Sequence, residues 1–264
     1  MISTNDLCIN CREIESLIVY FIKSSVEKAG LDGGIVSVSG GIDSAVTLAL
    51  TVKALTPEKV TAVTLPERDI TTQRDITDVM QYCKQLGLTC DTVDITSMLH
   101  VITENLPNFT IQDRISAGNI KSRLRMIIAY YFANRQRKMI IGTSNKTEFL
   151  TGFFTKYGDG GVDLLPLGDL YKTQIRQLGK YLKVPENILK KPPSPGFFPG
   201  QTDEDDLGVD YTTIDLILYT WEKGYTVKEI CDTLNLDLVK VQSILSRVKN
   251  SEHKRRFPLL LRLS

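Results

Sequence analysis

The sequence predicts an α/β fold: a three-layer sandwich with a mostly parallel sheet, helices on both faces, and further helices at the C-terminal end. Three observations carry this. Short apolar segments alternate with helix-period segments through the first 150 residues, the pattern of successive βαβ units. A glycine turn, Ser39-Gly40-Gly41-Ile42-Asp43-Ser44, joins the first apolar segment to a helix. Beyond residue 150 strand-like segments cease, and the chain runs through glycine- and proline-rich stretches into three helix-period segments.

Taken in order, Ile14, Leu17, Ile18, Phe21, Ile22 and Val26 recur at helical spacing and predict a helix over 11–29, broken by Gly33 and Gly34. Ile35-Val36-Ser37-Val38 reads as a strand, followed by a helix from Ala45 to about Leu55. Residues 60–65 form a second strand closed by Pro66, and residues 72–86 a helix ended by Gly87. A third strand is expected from Thr89 to Ile95, a long helix from about Gly118 to Asn134, a fourth strand over 139–143 and a short helix over 145–150. Residues 152–168 read as loop. Residues 191–206, with four prolines and two glycines, read as a lid or binding loop because they are too long for a plain connection. Helices are expected over 210–222, 226–235 and 237–249.

Bulk properties exclude several classes. Of 264 residues, 42% are hydrophobic and 24% charged, which disfavours disorder over most of the length. A net charge of +1 supplies no bulk field for nucleic acid or an anionic membrane, so neither is expected as a partner. No apolar run reaches membrane-spanning length, and the first 14 residues lack the apolar segment of a signal peptide. Five cysteines without framework spacing fit reduced thiols, hence a cytoplasmic protein.

The glycine turn carries the strongest chemical signal. Gly40 and Gly41 permit positive φ and close backbone approach to a ligand. The following helix start aims N–H groups at an anion, and Ser39 and Ser44 add hydroxyl donors. Asp43 repels phosphate directly but suits Mg²⁺ that bridges to it. No Gly-Lys-Ser/Thr follows, so this is not the loop of γ-phosphate transfer.

The turn resembles the pyrophosphate loop of the N-type ATP pyrophosphatases. Four more segments resemble the NAD synthetases: Gly118–Met126, Gly142–Asp163, Leu170–Gln174 and Ser251–Arg255. The long second segment is the most specific, and the matches span nearly the whole chain. The resemblance implies one NAD synthetase domain over 1–264. It would comprise an N-terminal helix (1–30), a nucleotide-binding α/β core of adenine nucleotide alpha-hydrolase type (31–190), a mobile loop (191–208), and C-terminal helices and tail (209–264).

The same resemblance implies roles for single residues. ATP would be contacted by Ser37, Val38, Ser39, Gly40, Gly41, Ile42, Asp43 and Ser44, with Thr143, Lys172 and Ser194. Asp43 and Glu148 would hold Mg²⁺. Asn119, Arg123, Lys156, Asp163, His253 and Lys254 would line the deamido-NAD site, and Asp159 would lie near where ammonia attacks. Asp43, Asp159 and Lys172 would carry the chemistry: ATP adenylates the substrate carboxylate, pyrophosphate leaves, and ammonia displaces AMP. Glutamine-using relatives carry an N-terminal amidase domain for which no room is expected ahead of the loop at residue 39. A homodimer with substrate sites at the interface is implied, and the many-sided apolar surface of the 118–134 helix is consistent with it.

Ser194 stands where threonine is common, keeping the hydroxyl. Glu67-Arg68-Asp69-Ile70, where the family builds part of its adenine pocket, maps onto no particular contact, and the apolar tail after Pro258 departs from the pattern. Two other readings compete. Cys8-Ile9-Asn10-Cys11 would suit a tRNA-modifying relative, but a second cysteine pair is missing. Residues 225–247 mimic a helix-turn-helix, yet the second helix has a weakly basic face, so a helix pair that positions His253 and Lys254 is the preferred reading.

Overall fold

Residues 2–263 are described in the computed structural model of the chain; Met1 and Ser264, the ends of the expected domain, lie outside them. After a short 3₁₀ turn, α1 spans Cys11–Lys28 and is capped by Asn10, whose side chain accepts from the Glu13 N–H. It buries Ile18, Ile22 and Val26. The chain then alternates: β1 (Gly33–Ser37), α2 (Ile42–Leu55), β2 (Val60–Thr64), α3 (Gln73–Gln85), β3 (Cys90–Thr92), α4 (Thr96–Asn105), α5 (Arg114–Gln136), β4 (Lys138–Ile140) and α6 (Lys146–Thr151). The remainder is helical: α7 (Lys172–Tyr181), α8 (Glu186–Leu189), α9 (Asp203–Leu207), α10 (Tyr211–Glu222), α11 (Val227–Leu234) and α12 (Leu238–Asn250), ending in a 3₁₀ turn over Glu252–Arg255.

All four strands are parallel, in the order β3-β2-β1-β4. Alternate strand residues feed the two helical layers. Val36, Ala62, Met139 and Ile141 pack with α1, α2, α3 and α7, whereas Ile35, Val63 and Ile140 pack with α4 and α5. A third cluster, built on Tyr211, Ile214, Ile217 and Leu218 of α10, joins α10, α11 and α12. The chain walks from β1 outward through β2 and β3, then returns to the opposite side of β1 as β4. A cleft therefore opens at the carboxyl end of β1, where the strand order reverses.

Four expectations are corrected. Residues 96–105, left unassigned by the periodicity, form α4. Its N-terminal flanking residue, Ile95, makes no side-chain cap, so the usual start signal is missing. The third strand shrinks to three residues because Asp94 turns the chain, accepting from the Thr96 N–H at 2.8 Å. The loop expected over 191–206 ends in α9, begun by Thr202, which caps the Asp205 N–H. Gly33 and Gly34 do not break a helix but open β1. The helix break falls at Gly30, with φ +63°.

Gly33 is fixed by packing between strands. A Cβ there would sit 1.9 Å from the Lys59 carbonyl oxygen, on the chain entering β2. The central strand pair must then separate, so Gly33→Ala is expected to lower stability by about 2–3 kcal/mol. A urea unfolding midpoint equal to that of the parent protein would refute this.

Candidate active site

The cleft at the end of β1 has a volume of about 810 Å³. Its floor is the glycine turn. Gly40 takes φ +79°, a left-handed conformation that side-chain-bearing residues rarely adopt. Ser44 Oγ donates to the Gly41 carbonyl at 3.0 Å and accepts from the Ser39 N–H at 3.2 Å. Gly41 precedes α2 without a side-chain cap, so the first N–H groups of that helix are left for an anion. Ser37, Val38, Ser39, Gly41, Ile42, Asp43 and Ser44 all line the cleft.

Above the turn sits a buried ionic array. Lys172, the first residue of α7, is 2% exposed. Its Nζ lies 2.5 Å from Asp43 Oδ2 and 3.1 Å from Glu148 Oε1, and 4.8 Å from the centre of the Tyr211 ring. Burial works against the ammonium, but Asp43 and Glu148 outweigh it and hold Lys172 charged well above the ordinary lysine range. Burial raises Glu148 more than the attraction of Lys172 lowers it. Asn145 orders the acids: its side chain donates to Asp43 Oδ1 at 2.8 Å and caps α6 by accepting from the Glu148 N–H at 3.0 Å. These hard oxygen donors, beside an anion cradle, fit a Mg²⁺ that keeps few protein ligands and shares phosphate oxygens. Among the described residues no cluster of three metal-ligating side chains stands ready without the phosphate.

Two further buried acids complete the array, and sequence reasoning did not single them out. Asp203, on α9, accepts from Tyr211 Oη at 2.7 Å, while its Oδ1 is buried without a hydrogen-bond partner. Burial pushes Asp203 up to about 6. In the sequence it sits in Asp203-Glu204-Asp205-Asp206, which reads as a solvated helix start. Asp215, fully buried on α10 and likewise pushed up by burial to about 6, accepts from Thr147 Oγ1 at 2.5 Å and from the Thr173 N–H at 2.8 Å. Its only sequence signal is a lone acid inside the apolar run Ile214–Leu218.

The remaining expected residues divide. Thr143, Ser194, Asn119, Asp159 and Lys254 face the same cleft. Asp159 Oδ1 accepts from Ser122 Oγ and from the Thr155 N–H, both at 2.8 Å. Asn119 accepts from Thr155 Oγ1 at 2.6 Å. Lys254 Nζ donates to the Gly152 and Phe154 carbonyls, each at 2.8 Å, which clamps the 152–160 segment. Arg123, Lys156 and His253 form an outer group: Arg123 donates to the Lys156 carbonyl at 3.3 Å, and Lys156 Nζ to the His253 carbonyl at 2.8 Å. Of Arg123 and Arg125, two residues apart on α5, it is Arg125, bonded to the Leu65 carbonyl, that reaches into the cleft, while Arg123 stays exposed. Asp163 does not face the cleft. It accepts from the Ile140 N–H at 2.7 Å and from Tyr130 Oη at 3.2 Å, and borders a separate hollow of about 370 Å³ with Arg137 and Lys138. The helix-turn-helix mimic serves as packing: α12 runs directly into the turn that carries His253 and Lys254. Among the described residues no helix is long and apolar enough to cross a membrane.

Comparison with known proteins bears on the whole chain. The family model described as NAD synthase matches residues 14–258. The NH3-dependent NAD+ synthetase of Methanosarcina acetivorans is 40% identical over 244 residues, covering 92% of this chain and 95% of the relative. That of Methanocaldococcus jannaschii is 42% identical, covering 93% and 95%. Among solved structures, an NMN synthetase from Francisella tularensis superimposes with a TM-score of 0.85 at 35% identity, covering 96% of this chain and 99% of that one. The NH3-dependent NAD synthetase from Campylobacter jejuni, in complex with nitrate, superimposes with 0.82 at 29%, covering 97% and 100%. A glycine cradle, a lysine held between two acids above it and these matches over nearly the full length lead to one conclusion: the chain belongs to the NAD synthase family.

Proposed function

We propose that the chain joins ammonia to the carboxylate of deamido-NAD, consuming ATP and giving NAD, AMP and pyrophosphate. The observation that carries this is Lys172, buried between Asp43 and Glu148 beside the glycine turn. A substrate carboxylate oxygen attacks the α-phosphorus, and the bond to pyrophosphate breaks. The free N–H groups at the start of α2, with Ser39 and Ser44, receive the charge that develops on the leaving group. Lys172 adds a full positive charge at the same place. Asp43 and Glu148 are the residues that would hold Mg²⁺, which when bound neutralises phosphate charge. Thr143 and Ser194 offer hydroxyl groups to the nucleotide.

In the second half, the ammonia lone pair attacks the acyl carbon, AMP departs, and one proton leaves the nitrogen. Asp159, exposed at the cleft and anchored through Oδ1, would accept that proton. Asn119 and Lys254 line the same side, and Arg123, Lys156 and His253 form a rim for the rest of the dinucleotide. The reaction is assigned to the cytoplasm, consistent with five free cysteines among the described residues.

The Francisella similarity favours a second reading, in which the nicotinic acid mononucleotide is the substrate. Incubation of the protein with ATP, Mg²⁺ and ammonium, with either dinucleotide or mononucleotide, separates the two. We expect NAD and AMP from deamido-NAD, and Asp43→Ala is expected to reduce product at least about 10³-fold through loss of phosphate charge neutralisation. ADP as product, or full turnover by Asp43→Ala, would sink the assignment.

Asp215 acts as a positioning residue. It holds Thr147 beside Glu148 and Thr173 beside Lys172, and Thr147 Oγ1 accepts from the Lys172 N–H at 3.0 Å. Asp215→Asn is expected to lower kcat about 10–100-fold with a smaller change in the KM for ATP, since misplaced groups cost rate before binding. Unchanged kcat in steady-state kinetics would remove Asp215 from this role.

We also propose a homodimer. On α5, Arg123, Ile127 and Tyr131 lie four residues apart along one exposed stripe, and Ile127 and Tyr131 are 59% and 58% exposed. A pair of exposed apolar side chains beside an arginine, on a helix whose other side is packed, suits a subunit contact. Ile127→Glu is expected to sediment as a monomer; if it stays dimeric, the interface lies elsewhere.

A further inference from the structure

Lys191 stands at the start of the proline-rich segment, just beyond α8, and its ammonium overhangs the phosphate cradle. Its Nζ is 3.7 Å from the point a Cβ on Gly40 would occupy, and 2.5 Å from Asp75 Oδ1 on the first turn of α3. Both residues line the cleft, with side chains 30% and 19% exposed. The Asp75 backbone is equally close: its carbonyl oxygen is 3.6 Å from the same Cβ point. The ion pair thus bridges the rim of the turn. Burial works against the Asp75 carboxylate, and the hydrogen bond and charge of Lys191 outweigh it, so Asp75 titrates below the usual aspartate range.

A carboxylate at the lip of an anion cradle repels phosphate, and an ammonium there attracts it. Pairing the two makes the lip nearly neutral while they hold each other. A pyrophosphate group in the cradle carries more negative charge than one carboxylate and presents several acceptor oxygens, and lysine binds phosphate as a mobile point charge on a flexible stem. We propose that Lys191 is a phosphate-binding residue parked on Asp75, and that nucleotide entry transfers its ammonium from Asp75 to the pyrophosphate end of the nucleotide. This deepens the reading given above and rests on it. The transfer would draw the segment that carries Ser194 toward the turn. That segment is tied at its far end by the Asp203 N–H donating to the Pro193 carbonyl at 3.0 Å.

A structural ion pair and a parked ligand predict different signs. If the pair only pins the segment to α3, loss of either partner weakens binding alike. If Lys191 is parked, Asp75 competes with phosphate, and its removal strengthens binding. The test is calorimetric titration of inorganic pyrophosphate with Mg²⁺ into the full-length protein and its variants. Lys191→Gln is expected to raise the dissociation constant about tenfold, the loss of one hydrogen bond to a charged group. Asp75→Asn is expected to lower it by about threefold, and the double variant to match Lys191→Gln alone. Lys191→Arg keeps the charge and is expected to recover most of the affinity.

Weaker binding in Asp75→Asn, or an unchanged constant in Lys191→Gln, overturns the proposal. Asp75→Asn suffices by itself if the lysine variants do not fold. A parent protein that binds no pyrophosphate would instead overturn the function proposed above. A parent that binds it, with variants of the wrong sign, would overturn only the role of Lys191.

Discussion

One buried ammonium organises the site. Lys172 is removed from water and holds its proton only because Asp43 and Glu148 come to it from two different elements. Breaking such a cluster leaves an uncompensated buried charge, which costs several kcal/mol. The start of α7, the first turn of α2 and the first turn of α6 are therefore locked in one arrangement. Thr147, Asp215 and Asn145 make the locking directional, because each bonds a backbone group or side chain adjacent to a charged residue. A binding site gains rigidity from this, at the expense of stability: Asp203 and Asp215 are acids that burial pushes to about 6.

The sheet explains why the array faces a cleft. Reversal of strand order beside β1 leaves a crevice at the strand ends, and the glycine turn lies on its floor. The C-terminal helices then supply walls rather than a separate function. Through α10 they deliver Asp215 and Tyr211 beneath Lys172, and through α12 they deliver Lys254, which clamps the segment that carries Asp159. The apolar resemblance to a helix-turn-helix reflects this packing, with Ile230, Val241 and Ile244 all buried in one cluster.

Much of the site was legible as local pattern. The turn over Ser39–Ser44 sits at a strand–helix junction and signals a ligand by itself, whereas Glu148 after the fourth strand and Lys172 at the start of α7 took their roles from the family resemblance. Arg125 and Arg123 show the limit. Both are helix arginines two residues apart, and only the way α5 lies on the sheet decides that Arg125 turns inward and Arg123 outward. Asp163 is a second case. It belongs to a segment that reads as one unit, yet the backbone turns and sends it toward Tyr130 and Ile140, away from the cleft.

From the sequence alone came the alternation of strands and helices, the glycine cradle, and the resemblance that named the family, because these depend on residues close together along the chain. Only the tertiary structure brought Lys172, Asp43, Glu148, Asp203 and Asp215 to one point, and only it set Lys191 against Asp75. Those pairings join residues far apart along the chain; the Lys172–Asp43 contact alone spans 129 positions. Their strength depends on the exclusion of water, a property of the packed molecule that no local pattern records.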